Sequence, residues 1–253
     1  MALGLLIPFL GTALGSGCVW FMKGTLSTRV TRGLTGFAGG VMVAAAIWSL
    51  LVPALEQCAD MGAWAFGPAA LGFWLGVLFL LGMDRLVPHL HRGSTEAEGP
   101  HSRLKRTTML VLAVTLHNLP EGMVVGLAAA LALTGEPDAV SGALALSLGI
   151  GLQNIPEGAA VSLPLAHNGR TRSQAFFAGA ASGLVEPLGA LLAFALAEWV
   201  STALPWLLSA AAGCMVCVTA QEMIPQAVEG DEPAGVVSIV LGFALMMALD
   251  VAL

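Results

Sequence analysis

Residues 107–133 read TTMLVLAVTLHNLPEGMVVGLAAALAL. The run is mainly apolar and long enough to cross a bilayer, which takes about 20 such residues. Its one carboxylate, Glu121, lies near the middle, where an unpaired charge costs at least ~2.5–3.5 kcal/mol. The chain then repeats itself: LHNLPEG at 116–122 returns as LQNIPEG at 152–158, again inside an apolar stretch. Something must repay the cost of both carboxylates.

The rest of the chain has the same character. Of 253 residues, 57% are hydrophobic, 10% are charged and 31 are Gly, more apolar residues than one soluble core of this size can hide. The expectation is an all-α membrane protein. Eight apolar stretches are long enough to span, at about 2–22, 34–57, 62–87, 107–133, 139–165, 173–197, 202–226 and 234–251. The first has no basic residues before it and exceeds a signal-peptide core, so it is read as a retained helix. Small residues such as Gly36, Gly39 and Gly40, or Gly179, Gly183 and Gly189, predict close helix packing. A β-barrel is excluded, since no alternating ten-residue segments occur.

All ten Lys and Arg residues fall at one face. Lys23, Arg29 and Arg32 lie in loop 1–2, Arg85, Arg92, Arg103, Lys105 and Arg106 at or in loop 3–4, and Arg170 and Arg172 in loop 5–6. The positive-inside rule makes that face cytoplasmic, with both termini outside; loop 7–8, with Glu229, Asp231 and Glu232, is cytoplasmic by parity. Residues 1–253 form a single transmembrane domain, and loop 3–4, about 88–106, has the polar, Gly- and Pro-containing character of a mobile segment. Cys214 and Cys217 are spaced as C-x-x-C, but inside the seventh apolar stretch they read as small buried thiols. The formal charge of −6 says little about partners; the bilayer and divalent ions are expected, and no nucleic acid.

Helical residues i and i+4 share a face, so His117 projects with Glu121 and Gln153 with Glu157. Between them, Pro120 and Pro156 cannot donate to the carbonyls of Leu116 and Leu152 and bend each helix. Irregular backbone at membrane depth is tolerated where it lines a cavity. Glu186, beside Pro187, adds a third carboxylate in the sixth stretch. No Lys or Arg lies in the middle of a span, which leaves protonation or a bound cation to neutralise the three. With His117, Gln153, Asn118 and Asn154 alongside, the mixed nitrogen and oxygen donors suit a first-row divalent ion such as zinc, iron or manganese, or cadmium as an intruder.

HNLPEG and QNIPEG together resemble the signature of the ZIP family of divalent-metal transporters, in particular its GufA-like branch, and the resemblance covers nearly the whole chain. It implies eight transmembrane helices in a 3+2+3 arrangement, with inverted pseudo-symmetric outer triplets around helices four and five, and a homodimer. It also implies a binuclear centre on helices four, five and six. The first ion would be held by His117, Glu121, Gln153 and Glu157, and the second by Asn118, Asn154 and Glu186, with Glu121 and Glu157 bridging. Some members carry Asp where this chain has Asn154, so the second site here has one negative charge fewer. Met42 matches the position that can give the first ion a thioether, although a core methionine is the competing reading. Ser49 and Glu56 match positions near the extracellular entrance, and Glu222, in QEMIP, a position at the cytoplasmic exit. A His-bearing loop 3–4, here with His89, His91 and His101, is expected to receive or sense ions there.

The resulting expectation is a transporter, not an enzyme, that carries a divalent transition metal, zinc foremost, into the cytoplasm of a bacterium across its inner membrane. Zinc is then bound substrate rather than cofactor. Rocking of the outer triplets against helices four and five would give alternating access. Two other classes stay open from the residues alone. An intramembrane metallohydrolase needs an activated water and usually a compact cluster such as H-E-x-x-H, which this chain lacks. A metal-regulated sensor or channel would bind without carrying.

Overall fold

The computed structural model describes residues 3–252 apart from 23, 25, 90–98, 103, 105, 136–138, 200, 231 and 232. His91 and most of the long loop lie outside the described residues, as do Lys23, Arg92, Arg103, Lys105, Asp231 and Glu232. Among the described residues there is no strand. The helices are α1 Gly4–Trp20, α2 Thr28–Glu56, α3 Phe66–Leu86, α4 Arg106–Leu131, α5 Ala139–His167, α6 Arg172–Ala197, α7 Leu204–Val228 and α8 Pro233–Ala252.

Seven of these, α2 to α8, are long and apolar enough to cross a membrane. α1 falls short of that length and is composite, with an α-helical centre, Ile7–Ser16, between 3-10 turns Gly4–Leu6 and Gly17–Trp20. α2 and α6 start earlier than the apolar pattern does. α2 begins at Thr28 because the Ser27 hydroxyl accepts the Val30 N–H at 3.3 Å and caps its first turn. α6 begins at Arg172 behind a reciprocal cap between Thr171 and Gln174.

Three helices are interrupted at membrane depth. α2 and α7 each contain a π-helical turn, Ala46–Leu51 and Thr219–Met223, followed closely by Pro53 or Pro225. Such turns rotate the following side chains off the 3.6-residue register. α6 breaks between Ser182 and Val185, and Glu186 sits in the first turn of the resumed helix, where the helix dipole favours negative charge. Pro187 is tolerated there because first-turn N–H groups have no helical acceptor.

Glycine sets the helix pairs. A Cβ on Gly11 or Gly15 would overlap the carbonyl of Gly151 or Ile155, which presses α1 onto α5. Gly122 and Gly126 abut the carbonyls of Glu186 and Ala190, joining α4 to α6. Gly40 meets Ile239 and Gly242 meets Phe37, joining α2 to α8; Gly76 meets Ala210 and Gly213 meets Phe73, joining α3 to α7. Backbone contact this close lets dispersion and complementary shape hold helices together where lipid offers no hydrophobic drive. The largest apolar core, including Leu50, Leu127, Leu146, Ile150, Leu208 and Met215, lies between these pairs. Outward faces are also apolar, as on α3 (Leu71, Trp74, Leu75, Leu78) and α8 (Val236, Val237, Val240, Leu241), which fits a chain solvated by hydrocarbon.

Candidate metal centre

α4 and α5 run continuously through Pro120 and Pro156, so the two copies of the motif sit on facing helices at the level where α6 breaks. Glu121, 2% exposed, accepts a hydrogen bond on Oε1 from Gln153 Nε2 at 2.7 Å. Across the α4–α6 contact, Asn118 Nδ2 donates to Glu186 Oε1 at 2.8 Å and to the Ser182 carbonyl at 3.3 Å. Asn154 Oδ1 accepts from Gln153 Nε2 at 3.4 Å. Asn118, Asn154 and Glu186 are fully buried.

Four oxygens in this group are buried and make no hydrogen bond: Asn118 Oδ1, Glu121 Oε2, Gln153 Oε1 and Glu186 Oε2. An unsatisfied buried acceptor costs about 1–3 kcal/mol, more when charged, and here they are gathered on three neighbouring helices. All four are acceptors, so what would satisfy them is a cation or a proton-bearing group. Among the described residues, no three His, Cys, Asp or Glu side chains converge closely enough to hold an ion by themselves. Any ion would draw on the amide oxygens as well.

His117 faces the other way, with Nε2 2.9 Å from Oε1 of Glu222 in the π turn of α7. His117, Glu121, Gln153, Glu157 and Glu222 line one cavity of about 310 Å³, together with Met42. Its wall continues through Thr31, Thr35, Asn168 and Gln226, so it runs from the motif segments of α4 and α5 towards the start of α2 and the ends of α5 and α7. Among the described residues no Lys or Arg lines it, while three glutamates do. Such a low-dielectric cleft of one sign concentrates cations.

Of the remaining candidates, all but Met42, which is in the cavity wall, lie apart. Met42 is 1% exposed, and its Sδ is 3.7 Å from the Thr219 hydroxyl. Ser49, in the π turn of α2, donates to Asp250 Oδ1 on α8 at 2.7 Å. Glu56 is exposed at the end of α2. His89 is buried beyond α3, with Nδ1 2.7 Å from the Val87 carbonyl and Nε2 3.8 Å from Asp84. Cys214 and Cys217 are free thiols whose sulfurs contact the Gly76 carbonyl and Gln221 Oε1, each at 3.2 Å.

Two participants were not visible in the sequence. Thr12 on α1 donates to Glu186 Oε1 at 2.7 Å; its only signal was a hydroxyl in a glycine-rich apolar helix. Asp250, the partner of Ser49, is the one carboxylate of α8, which by position reads as a solvated helix end.

Comparison with known proteins agrees in one direction. A model of the ZIP zinc transporter family matches residues 94–250. The zinc transporter ZIPB of Bordetella bronchiseptica is 39% identical over 250 residues, covering 97% of this chain and 78% of that protein. Human zinc transporter ZIP11 is 34% identical, covering 96% of this chain and 94% of its own length. Zinc transporter GufA of Myxococcus xanthus is 35% identical over the full length of both.

Proposed function

The chain belongs to the ZIP family of zinc transporters, and from that membership we propose that it carries divalent transition metals, zinc foremost, across the membrane through the centre on α4, α5 and α6. The observation that carries this reading is the set of four bare, buried oxygens beside a glutamate-lined cavity. The first ion is held by His117, Glu121, Gln153 and Glu157, with Met42 on the facing helix. The second is held by Asn118, Asn154 and Glu186, and Glu121 and Glu157 bridge. His117 reaches the first ion by exchanging Glu222 for it, so Glu222 stands next along the path. Protons compete with metal for every one of these carboxylates and for the histidine.

α1 belongs to the spanning set in this reading. Its 3-10 turns rise faster than α-helix, so Gly4–Trp20 covers roughly 29 Å, close to the ~30 Å hydrocarbon core. Eight spans then give both ends outside and the basic loops in the cytoplasm of a bacterial cell, and the cavity faces the cytoplasm. The glycine pairing supports the 3+2+3 arrangement: an inverted repeat that relates α1–α3 to α6–α8 and α4 to α5 carries the α1–α5 pair onto α6–α4 and the α2–α8 pair onto α7–α3. It divides the moving parts differently from rocking triplets. α1, α4, α5 and α6 form one unit and α2, α3, α7 and α8 the other, and access alternates as the first slides against the second. A homodimer, as a family expectation, would form on outward faces of the second unit. Ser49 with Asp250, and Glu56, lie towards the outer face and would receive the ion. His89 and His91, on the long loop, would meet it after release.

Glu186→Gln separates the two ions. Zinc binding measured by calorimetry on the purified variant is expected to fall from two ions to one, with uptake slowed by about tenfold at most, the lower end for loss of a supporting metal-site group. Loss of all zinc binding in Glu186→Gln would show that the two sites are one.

A further inference from the structure

α1 supplies none of the metal-binding residues named above, yet it touches two of the three side chains assigned to the second ion, Glu186 and Asn154. The Thr12 hydroxyl, fully buried, donates to Glu186 Oε1 at 2.7 Å and lies 3.5 Å from the Pro8 carbonyl. The same carbonyl accepts from Asn154 Nδ2 at 3.5 Å. A hydroxyl has one proton to donate, and the shorter contact, to the carboxylate, takes it.

The packing around this contact is built for it. A Cβ on Gly183 would stand 2.8 Å from Thr12 Cβ and 3.1 Å from Glu186 Oε1, and a Cβ on Gly158 would overlap the Thr12 carbonyl. The two glycines, on α6 and α5, let α1 approach the break in α6 at the level of Glu186. Threonine adds rotamer stiffness, since its branched Cβ confines the hydroxyl to few directions in a helix.

Thr12 and Asn118 both donate to the same oxygen, Oε1, while Oε2 has no partner. A carboxylate with both oxygens free would rotate among orientations; one pinned at Oε1 by donors from two helices presents Oε2 in a single direction. We infer that Thr12 is a positioning residue for the second ion: it holds Glu186 so that Oε2 is the ligating atom, and the Pro8 carbonyl turns Asn154 in the same way. Groups that orient ligands in this manner change metal affinity by about 10–100-fold when lost. The inference rests on the two-ion reading of the centre and makes α1 part of the binding unit.

The test is zinc titrated into the purified full chain by calorimetry, for wild type, Thr12→Val and Thr12→Ser. Valine keeps the branched shape and removes the donor; serine keeps the donor. The expected result is a loss of about tenfold or more in the second, weaker zinc affinity of Thr12→Val, with the first unchanged, and near-wild-type values for both ions in Thr12→Ser. Unchanged binding in Thr12→Val overturns the assignment. So does equal weakening of both ions, or a Thr12→Ser that behaves like Thr12→Val, since each makes Thr12 a packing residue. A wild type that binds a single zinc refutes the two-ion reading itself, a result distinct from any of these.

Discussion

Replacing Glu121 by Ala is expected to reduce zinc uptake by about 100-fold or more, beyond what even a supporting group of a metal site contributes, while the protein remains folded. Three consequences act together. The substitution removes a ligand shared by both ions, leaves Gln153 Nε2 without its 2.7 Å acceptor, and opens space in a site where Glu121 is 2% exposed. Glu121→Gln keeps the shape and removes the charge, so its failure to restore uptake would assign the effect to charge. The check is uptake in cells expressing equal amounts of each variant. Wild-type uptake in Glu121→Ala would take the ion's path away from the doubled motif.

The second large effect is on the fold. Gly122 follows Glu121 directly, and a Cβ there would overlap the carbonyl of Glu186. Gly122→Val must therefore push α4 from α6, the two helices that bring Asn118 to Glu186. Overpacking of this kind costs about 1–3 kcal/mol or more, which for a chain of this size lowers the melting temperature by about 2–12 °C. Metal affinity should fall with it, because the same contact sets the ligand spacing. Gly142→Val on α5 serves as control, since nothing lies within 4 Å of a Cβ there. Thermal unfolding of both variants in detergent gives the comparison, and equal melting temperatures would refute the packing argument.

The parts of this architecture that could be read from the sequence are those that leave a mark in composition or spacing. Glu121 and Glu157 stand out because a carboxylate in an apolar run is costly, but helical spacing pairs them with His117 and Gln153, whereas in the fold Gln153 meets Glu121 and His117 meets Glu222. The spans of α3 to α8 follow from hydropathy. What could not be read depends on tertiary contact. The π turns at Ala46–Leu51 and Thr219–Met223 break the 3.6-residue period on which such reading relies, and they carry Ser49 and Glu222 to their partners. Thr12 is one small hydroxyl whose importance appears only when α6 breaks opposite it. The helix pairs escape notice for the same reason: glycines are visible in the sequence, but not which carbonyl each one meets. Even the start of α2 at Thr28 depends on a cap by Ser27 that a search for apolar runs passes over.

The most direct test of the central claim is radioactive zinc uptake by liposomes that contain the purified protein, with Glu157→Ala alongside wild type. Glu157 lines the cavity and is proposed to bridge the two ions. Saturable uptake by wild type that falls to the level of empty liposomes in Glu157→Ala is the predicted result. Uptake by Glu157→Ala at the wild-type rate, or tight zinc binding by wild type with no uptake at all, would contradict the account.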